Sequence, residues 1–382
     1  MANPTSIIGK GLDQAQGAEK VSGQAVYGAD VHLTRRRFLR ISAVASAGLL
    51  GGFASSPLRQ VFGQAERSRL PIEHVILIFR ENHSYDNYFG TFPGGNGKTT
   101  SSRCDDETLD PPHGRRDALY GVIRGPRGNC HYVEQDIPNY FAYAREFVLC
   151  DNYFADIRGP SHPNYFMLMA AQTPSLDNIL GELKGKYEMT TIADRLSDKG
   201  VSWKNYNGGI PLVALFKNAE ASGNIVPLSG FTADALGGKL PAMSWVTPSL
   251  RDSEHPPYSV KRGENWTVAK VNAVMQGPLW PKCAIFIVYD EWGGFWDHVT
   301  PPAVEGNVRY GYRIPCLILS PYAKRGYVSH TLYSHMSVLR TIERLFNVAP
   351  LNDLDAKAND LLDCFDFQQE PRAPLILKER PG

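Results

Sequence analysis

Pairs of polar side chains follow two strongly apolar stretches of the sequence. The four residues are Glu81, Asn82, Asp290 and Glu291. In open α/β sheets, ligands bind at the carboxyl ends of strands, where these residues would stand. Carboxylate and amide oxygens from two strand ends are the ligands that a hard divalent cation prefers. Either pair alone would be an ordinary loop, but two pairs, each followed by glycine and by histidine or aspartate, favour a metal site.

A serine stands at the start of a predicted helix in the stretch RGPSHPNYFMLMAAQ, residues 158–172. Pro163 fits the first turn of that helix, where a missing N–H costs nothing. The commonest role of Ser161 there would be to cap the helix. The alternative is a nucleophile, because a helix N-terminus offers free N–H groups to a phosphate. A metal beside Ser161 would stabilise its alkoxide.

Three histidines recur in loops that follow the apolar runs. They are His255 in SEHPPYS, His298 in FWDHVTPP and His335 in LYSHMSVLRTIE. A single histidine is more often structural than catalytic, but binding sites are usually built from such loops. A phosphoryl-transfer site needs donors of this kind, because its transition state spreads negative charge over three oxygens. It also needs an acid that protonates the leaving oxygen.

Apolar runs of strand length position these residues along the chain. They cover residues 74–79, 146–154, 200–206, 242–247, 283–289 and 314–320. Such runs suit strands that are buried on both faces. Helical patterns alternate with them, one with a capping box at Thr191 and Asp194 and another N-capped by Ser334. The alternation predicts an α/β fold with a largely parallel sheet. Residues 91–130 lack periodicity and are expected to form a long surface insertion.

Charge and cysteine content exclude some classes of function. The net charge is +1, so no global field favours nucleic acid or an anionic membrane as partner. The six cysteines show no zinc-binding spacing, so thiolate ligation of a metal is disfavoured. Cys150, Cys283 and Cys316 lie in apolar runs and are expected in the core. Cys104 and Cys130 could form a disulfide if the protein is exported.

The N-terminal region has the features of an export signal. Residues 34–40 read TRRRFLR, with Arg35 and Arg36 as the arginine pair, and a weakly apolar Gly/Ala-rich stretch follows. This pattern is typical of a twin-arginine signal, and the stretch is too short for a stable membrane span. A basic amphipathic arm is the alternative. We expect residues 1–65 to be a signal region with an extended leader, cleaved after Ala65, and residues 66–382 to be one domain.

Several long motifs resemble those of a known family. They are ENHSYDNYFG, GPSHPN, SEHPPY, YDEWGGFWDHVTPP, GYRIPCLILSPYAKRGYV and YSHMSVLRTIE. Between about residues 71 and 348 the chain resembles the bacterial phosphoesterase family, which includes phospholipases C and related acid phosphatases. Twin-arginine export is frequent in that family. The resemblance implies a three-layer α/β/α sandwich with a mainly parallel central sheet, like that of alkaline phosphatases and sulfatases.

The resemblance also implies roles for individual residues. Glu81, Asn82, Asp290 and Glu291 would bind one divalent metal ion, with Ser161 as the nucleophile that also touches it. An oxygen-rich shell favours Ca²⁺, Mg²⁺ or Mn²⁺, and iron and zinc stay open. Asn82 would also contact the phosphate, and the expected pocket histidines are His131, His255, His298 and His335. Many family members differ from this chain at His83, Tyr85 and Trp292, but none of these departures removes an expected ligand.

Together these observations predict an exported, metal-dependent hydrolase of phosphomonoesters or phosphodiesters that forms a phosphoserine intermediate. Its expected partners are a phosphoester substrate, the twin-arginine translocase and transiently a lipid surface. A phospholipase C specific for phosphatidylcholine is the first alternative, weakened because the long C-terminal extension of many such enzymes is missing. A sulfatase is disfavoured because Tyr165 replaces the arginine of the sulfatase pattern. A non-catalytic metal-binding surface protein is the third alternative.

Three aromatic residues near the site, Trp292, Phe295 and Trp296, could form a cage around a choline group, but core positions are favoured for them.

Overall fold

The computed structural model describes residues 70–120, 128–181, 184–303 and 310–381. The expected arginine pair, Arg35 and Arg36, and the expected cleavage site after Ala65 lie outside these residues. No helix in the described part of the chain has the length and apolar character needed to cross a membrane.

Strands and helices alternate along most of the chain. The strands are β1 His74–Arg80, β2 Ser102–Arg103, β3 Cys130–His131, β4 Val148–Cys150, β5 Tyr153–Phe154, β6 Trp203–Asn207, β7 Ile225–Pro227, β8 Met243–Thr247, β9 Cys283–Tyr289, β10 Cys316–Leu319, β11 Tyr327–Ser329 and β12 Tyr333–Ser334. The helices are α1 Tyr85–Phe89, α2 Arg115–Tyr120, α3 Pro138–Glu146, α4 Ser161–Ala170, α5 Ile192–Asp198, α6 Lys217–Ala221, α7 Phe231–Leu236, α8 Val260–Gln276, α9 His335–Phe346 and α10 Asp353–Ala356. Each of the six predicted runs overlaps a strand, and the run at residues 146–154 divides into β4 and β5.

A single large sheet organises the described residues. Its strand order is β11-β4-β10-β9-β1-β8-β6-β7. All neighbouring strands are parallel except for β10, which is antiparallel to both β9 and β4. The described part of the β9–β10 connection carries no helix, and a parallel return would need a crossover, usually helical. The predicted, mainly parallel sheet is confirmed, with β10 as its exception.

Helices cover both faces of this sheet, which confirms the predicted three-layer α/β architecture. One group contains α4, α9 and α10, and the other contains α3, α7 and α8. The central strand β9 is buried over its whole length, as its unbroken apolar sequence requires. The predicted capping boxes form at Thr191 with Asp194, and Ser334 caps α9.

The insertion at residues 91–130 is more structured than its sequence suggests. It contains β2 and α2 and ends at β3, and a disulfide joins Cys104 to Cys130. The Asp106 carboxylate accepts hydrogen bonds from the Ser259 hydroxyl and the Lys261 N–H at the start of α8. The insertion is therefore fastened to the α/β core at a defined point. The expected core cysteines, Cys150, Cys283 and Cys316, are buried with free thiols.

Candidate functional site

The two polar pairs emerge side by side at the carboxyl edge of the sheet. The last residues of β1 and β9, Arg80 and Tyr289, are partners in the parallel ladder. Asn82 follows with a left-handed φ of 63°, and its N–H donates to Asp290 Oδ1 at 3.0 Å. Gly293 packs against this turn so closely that a Cβ there would lie 2.2 Å from the Asn82 carbonyl oxygen. Glycine is therefore required where the two strand-end loops meet.

Helix α4 brings Ser161 to the same place. Ser161 is the first residue of α4, and Pro160 is its N-cap, so the serine hydroxyl does not cap the helix. The Oγ of Ser161 lies 3.4 Å from Asn82 Oδ1. One turn later, the Tyr165 hydroxyl donates to a Glu81 carboxylate oxygen. The start of α4 is thereby fixed against the end of β1, with the Ser161 hydroxyl beside Asn82.

Three carboxyl groups are buried beside this serine. Glu81 is 2% exposed, and Asp290 and Glu291 are 0% exposed. Burial raises the pKa of Glu81 to about 7 and, with the nearby charge of Glu81, that of Asp290 to about 7. Burial also raises the pKa of Glu291 well above its ordinary value. Three such groups buried close together are costly unless a cation shares the site.

The donor set fits a hard divalent cation. Asp290 Oδ2 and Glu291 Oε1 are buried and have no hydrogen-bond partner among the described residues. The other carboxylate oxygens are held by separate protein donors, including the N–H of Gly293, which donates to Glu291 Oε2 at 2.9 Å. Buried, unpartnered oxygens next to an amide oxygen are the ligands that Ca²⁺, Mg²⁺ or Mn²⁺ prefer.

His113, in the insertion, was missed by the sequence analysis and lies in this site. Its Nε2 is 3.2 Å from Asn82 Nδ2 and 3.9 Å from Glu291 Oε1. Burial lowers the pKa of His113, but the charges of Glu291 and Asp110 outweigh it and raise the pKa to about 10. The His113 ring therefore lies between the Asn82 amide and the buried Glu291 carboxylate. The only feature of the sequence that could have pointed to His113 is the pair of prolines before it, because His255 is followed by two prolines in the same way.

His255 is the predicted histidine that shares a cavity with Ser161. That cavity has a volume of about 360 Å³, and its wall also includes Glu81 and Tyr165. The His255 ring lies 5.6 Å from the His113 ring. Its Nδ1 donates to the Pro256 carbonyl at 2.6 Å, which leaves Nε2 for a ligand. The structure thus brings His255, but not the other predicted histidines, to the cavity that Ser161 lines.

His335 lies under the site instead of in its cavity. It is fully buried, with Nε2 2.9 Å from the Asp290 carbonyl oxygen and Nδ1 3.1 Å from the Tyr153 hydroxyl. Burial lowers the pKa of His335 to about 4, so the ring is neutral. Its contacts support the backbone of Asp290, and a role of His335 in the phosphate pocket stays a prediction.

His298 and His131 also have other contacts. His298 Nδ1 lies 2.6 Å from Asp86 Oδ2, and His131 Nδ1 lies 3.0 Å from the Thr100 hydroxyl. Neither lines the cavity around Ser161. The position of His298 in a salt-bridged cluster, and of His131 in the small β2–β3 sheet, gives both histidines structural partners.

Two groups of three side chains hold metal-ligand atoms within 4.8 Å of one another among the described residues. One group, Asp110, His113 and His255, borders the site. The other contains Asp86, Asp297 and His298. The Arg313 guanidinium occupies this second group, 2.9 Å from Asp86 Oδ1 and 3.1 Å from Asp297 Oδ1. An arginine supplies the positive charge there, so the second group is not a metal site.

Two of the three neighbouring aromatic side chains are core residues, whereas Trp296 is partly exposed. Trp292 is 2% exposed and packs on Tyr312, and Phe295 is fully buried and stacks on His83 at 4.9 Å. This confirms the favoured interpretation of both residues and removes them as a choline cage.

Known proteins with similar sequences are phospholipases C. Phospholipase C B of Mycobacterium tuberculosis is 26% identical, over 89% of this chain and 87% of its own. Non-specific phospholipase C6 of Arabidopsis thaliana is 27% identical, over 81% of this chain and 75% of its own. Among solved structures, an alkaline phosphatase superfamily protein from Vibrio parahaemolyticus is 14% identical, with a TM-score of 0.43 over 74% of this chain and 68% of its own.

The Phosphoesterase family profile matches residues 72–114 and 129–349. The two matched segments contain every residue placed at the site above, including His113 in the first segment. The chain therefore belongs to the Phosphoesterase family, and it is a phosphoester-hydrolysing enzyme.

Proposed function

We propose that the chain is a metal-dependent phosphoester hydrolase in which Ser161 is the nucleophile. The observation that carries the proposal is the position of Ser161 at the N-terminus of α4, 3.4 Å from Asn82 and facing the carboxyl edge of β1 and β9. The free N–H groups of this helix end favour the negative charge of a phosphoryl group. A nucleophile, an anion-binding helix end and the Glu81 carboxylate therefore line one cavity.

Each site residue has a role in a double displacement at phosphorus. Ser161 Oγ forms a bond to phosphorus, the bond from phosphorus to the alcohol oxygen breaks, and that oxygen takes a proton from His255. Water then gives a proton to His255 and forms the next bond to phosphorus, the bond to Ser161 Oγ breaks, and the serine takes a proton from solvent in place of the one that it released to solvent in the first step. His113 and the α4 N–H groups hold the negative charge of the phosphoryl oxygens throughout.

Glu81, Asn82, Asp290 and Glu291 would hold the divalent cation. When bound, this ion would stabilise the ionised serine hydroxyl and the charge on the phosphoryl oxygens. Its oxygen-rich shell favours Ca²⁺, Mg²⁺ or Mn²⁺, with iron and zinc as alternatives to be distinguished by metal analysis of the purified protein.

We also propose that the protein is exported through a signal that contains Arg35 and Arg36. Undiminished export of a variant with lysine at both positions would contradict this.

A phospholipase C activity is the second candidate, because one exposed leucine lines the cavity and two more lie close in sequence to another lining residue. Leu250 lines the cavity and is 47% exposed. Leu176 and Leu180, 43% and 91% exposed, flank Asn178, which also lines the cavity. The names of the relatives agree with a lipid substrate. Hydrolysis of phosphatidylcholine vesicles, compared with hydrolysis of soluble monoesters and phosphocholine diesters, separates the two candidates.

The nucleophile is tested with Ser161→Ala. We expect kcat for p-nitrophenyl phosphate to fall by about 10⁴-fold or more, because loss of a nucleophile leaves only binding and electrostatic effects. Wild-type protein quenched in acid during turnover should carry a phosphoryl group on the peptide that contains Ser161. Ser175→Ala, in the loop at the cavity mouth, is the control and should keep wild-type turnover. Activity retained by Ser161→Ala would exclude this serine as nucleophile.

A further inference from the structure

His162, the residue after Ser161, has no role in the double displacement described above. It is half-buried and lines the same cavity of about 360 Å³ as Ser161 and His255. A cavity of this size is typical of a site for a small ligand. A phosphoester that is attacked by Ser161 Oγ therefore lies close to the side chain of His162.

The loop that follows α4 holds the His162 ring in one orientation. The Ile179 N–H donates to His162 Nδ1 at 3.0 Å, and the His162 N–H donates to Asn178 Oδ1 at 3.0 Å. The centroid of the ring also lies 5.7 Å from that of Tyr165, whose hydroxyl donates to Glu81. The two hydrogen bonds and the aromatic contact together fix the ring in the wall of the cavity.

The hydrogen bond from Ile179 determines which ring nitrogen of His162 carries the proton. A backbone N–H can only donate, so His162 Nδ1 is the acceptor and has no proton of its own. The neutral imidazole then carries its proton on Nε2. No described residue forms a hydrogen bond with this Nε2. Its N–H is therefore left for a ligand in the cavity.

His255 is held in the opposite tautomer. Its Nδ1 donates to the Pro256 carbonyl, so the lone pair of the neutral ring lies on Nε2. The two histidines that line the cavity with Ser161 therefore present different groups to a ligand, a proton acceptor at His255 and an N–H donor at His162. The ionised oxygens on phosphorus can only accept hydrogen bonds, so they match the N–H of His162.

We propose that His162 is a further substrate-binding residue, which donates a hydrogen bond from Nε2 to a phosphoryl oxygen of the ester at Ser161. This inference rests on the proposed function, because it takes Ser161 as the nucleophile. His162 keeps its proton in both steps, since the Ile179 N–H occupies its other nitrogen, and the protons move through His255 instead. His162 holds the phosphoryl group in place while Ser161 and then water attack it.

Two substitutions test the two nitrogens of His162 separately. The amide of asparagine reaches the position of Nδ1, and the longer amide of glutamine reaches that of Nε2. His162→Asn should still accept the hydrogen bond from Ile179 but lose the donor in the cavity, so we expect kcat/KM for p-nitrophenyl phosphate to fall by about tenfold to hundredfold. His162→Gln should keep the donor and stay within about fivefold of the wild type. His74→Asn, at the other end of β1, is the control and should keep wild-type turnover.

Binding of inorganic phosphate gives a second measurement that needs no turnover. The dissociation constant of phosphate from the metal-loaded protein is measured by titration calorimetry. It should rise by about tenfold in His162→Asn, because a hydrogen bond to a charged oxygen is lost. It should rise by less than about threefold in His162→Gln, which keeps a donor near the position of Nε2.

The outcomes separate this inference from the proposed function. If His162→Gln is impaired and His162→Asn is not, His162 only anchors the loop at Ile179, and the inference is overturned. Equal behaviour of the two variants would overturn it as well, because a donor at the position of Nε2 would then make no difference. No turnover by the metal-loaded wild type would contradict the hydrolase, and phosphate binding by the two variants would still decide the role of His162.

Discussion

At the scale of single residues, Glu254 explains why His255 stands where it does. Its buried carboxylate accepts hydrogen bonds from Tyr88 at 2.8 Å and from Tyr140 and Tyr289 at 2.5 Å each. It also pairs with the buried Arg80 at 2.6 Å. Arg80 ends β1, so the network ties the loop that carries His255 to the strand that presents Glu81 and Asn82. The sequence analysis noticed His255 in this motif and missed the glutamate that anchors it.

Removing the charge of Glu254 should destabilise the protein strongly. Burial lowers the pKa of Arg80, but the Glu254 carboxylate outweighs it and raises that pKa above its ordinary value, so the guanidinium stays charged. In Glu254→Gln it would be left buried without a countercharge, and we expect the free energy of unfolding in urea to fall by about 3–5 kcal/mol. Glu134→Gln breaks an exposed pair with Arg145 and should cost about 0–1 kcal/mol. Equal losses in the two variants would show that the buried network does not stabilise the fold.

At the scale of elements, the insertion at residues 91–130 carries His113 on a loop that buries few apolar side chains. The Cys104–Cys130 disulfide closes a loop that contains Asp110 and His113. Asp106, in the same loop, holds the start of α8, which follows the His255 motif. The disulfide and this contact therefore fix His113 relative to His255.

Opening the disulfide should therefore loosen the site before it unfolds the sheet. For the Cys104→Ala, Cys130→Ala double variant we expect kcat/KM for p-nitrophenyl phosphate to fall by about tenfold or more, since small misplacements of site residues cost activity steeply. Stability should fall by roughly 3–4 kcal/mol, the loop-closure effect for a separation of 26 residues. Thiol reductant should lower the activity of the wild type and have no further effect on the double variant. Unchanged kcat/KM in the double variant would show that the disulfide does not position His113.

At the scale of the whole molecule, Glu264 joins three distant parts of the chain. From α8 it accepts hydrogen bonds from the N–H groups of Asn139 and Tyr140, at 2.8 and 3.2 Å, and so caps α3, whose own N-cap supplies no side chain. Arg380, in the last described segment, lies 3.4 Å from the same carboxylate. One buried carboxyl group therefore links two helices and the C-terminal segment.

This arrangement predicts a pH-dependent stability. Burial raises the pKa of Glu264 from 4.5 to about 7. Because the folded pKa lies above the unfolded one, the stabilising contribution of the protonated group is complete below about pH 4.5 and is lost as pH rises through about 7. Between about pH 5 and 7.5, the free energy of unfolding should therefore fall by about 2–3 kcal/mol more in the wild type than in Glu264→Gln. Glu379→Gln, at an exposed position, should keep the wild-type slope. Parallel pH profiles of wild type and Glu264→Gln would contradict the shifted pKa.

What the sequence determined by itself was the local and periodic part of this protein. Unbroken apolar runs predicted the strands, because a strand buried on both faces cannot carry polar residues. Side-chain capping predicted the helix starts at Thr191 and Ser334, because each cap involves residues only a few positions apart. The rule that ligands bind at strand ends predicted Glu81 and Asp290, and the proline in the first turn predicted the position of Ser161. These features depend on interactions between residues that are close in the sequence, so they can be read from the sequence alone.

The tertiary structure decided the contacts between residues far apart in the chain. It brought His113 beside Asn82, buried His335 beneath Asp290, paired His298 with Asp86, and reversed β10 against its neighbours. Each outcome depends on how the sheet, the insertion and the helices pack, and a histidine in a loop has the same local sequence whether it meets a ligand, a carboxylate or a backbone carbonyl. The sequence therefore identified the types of residue that the site contains, and only packing determined which histidines lie in it.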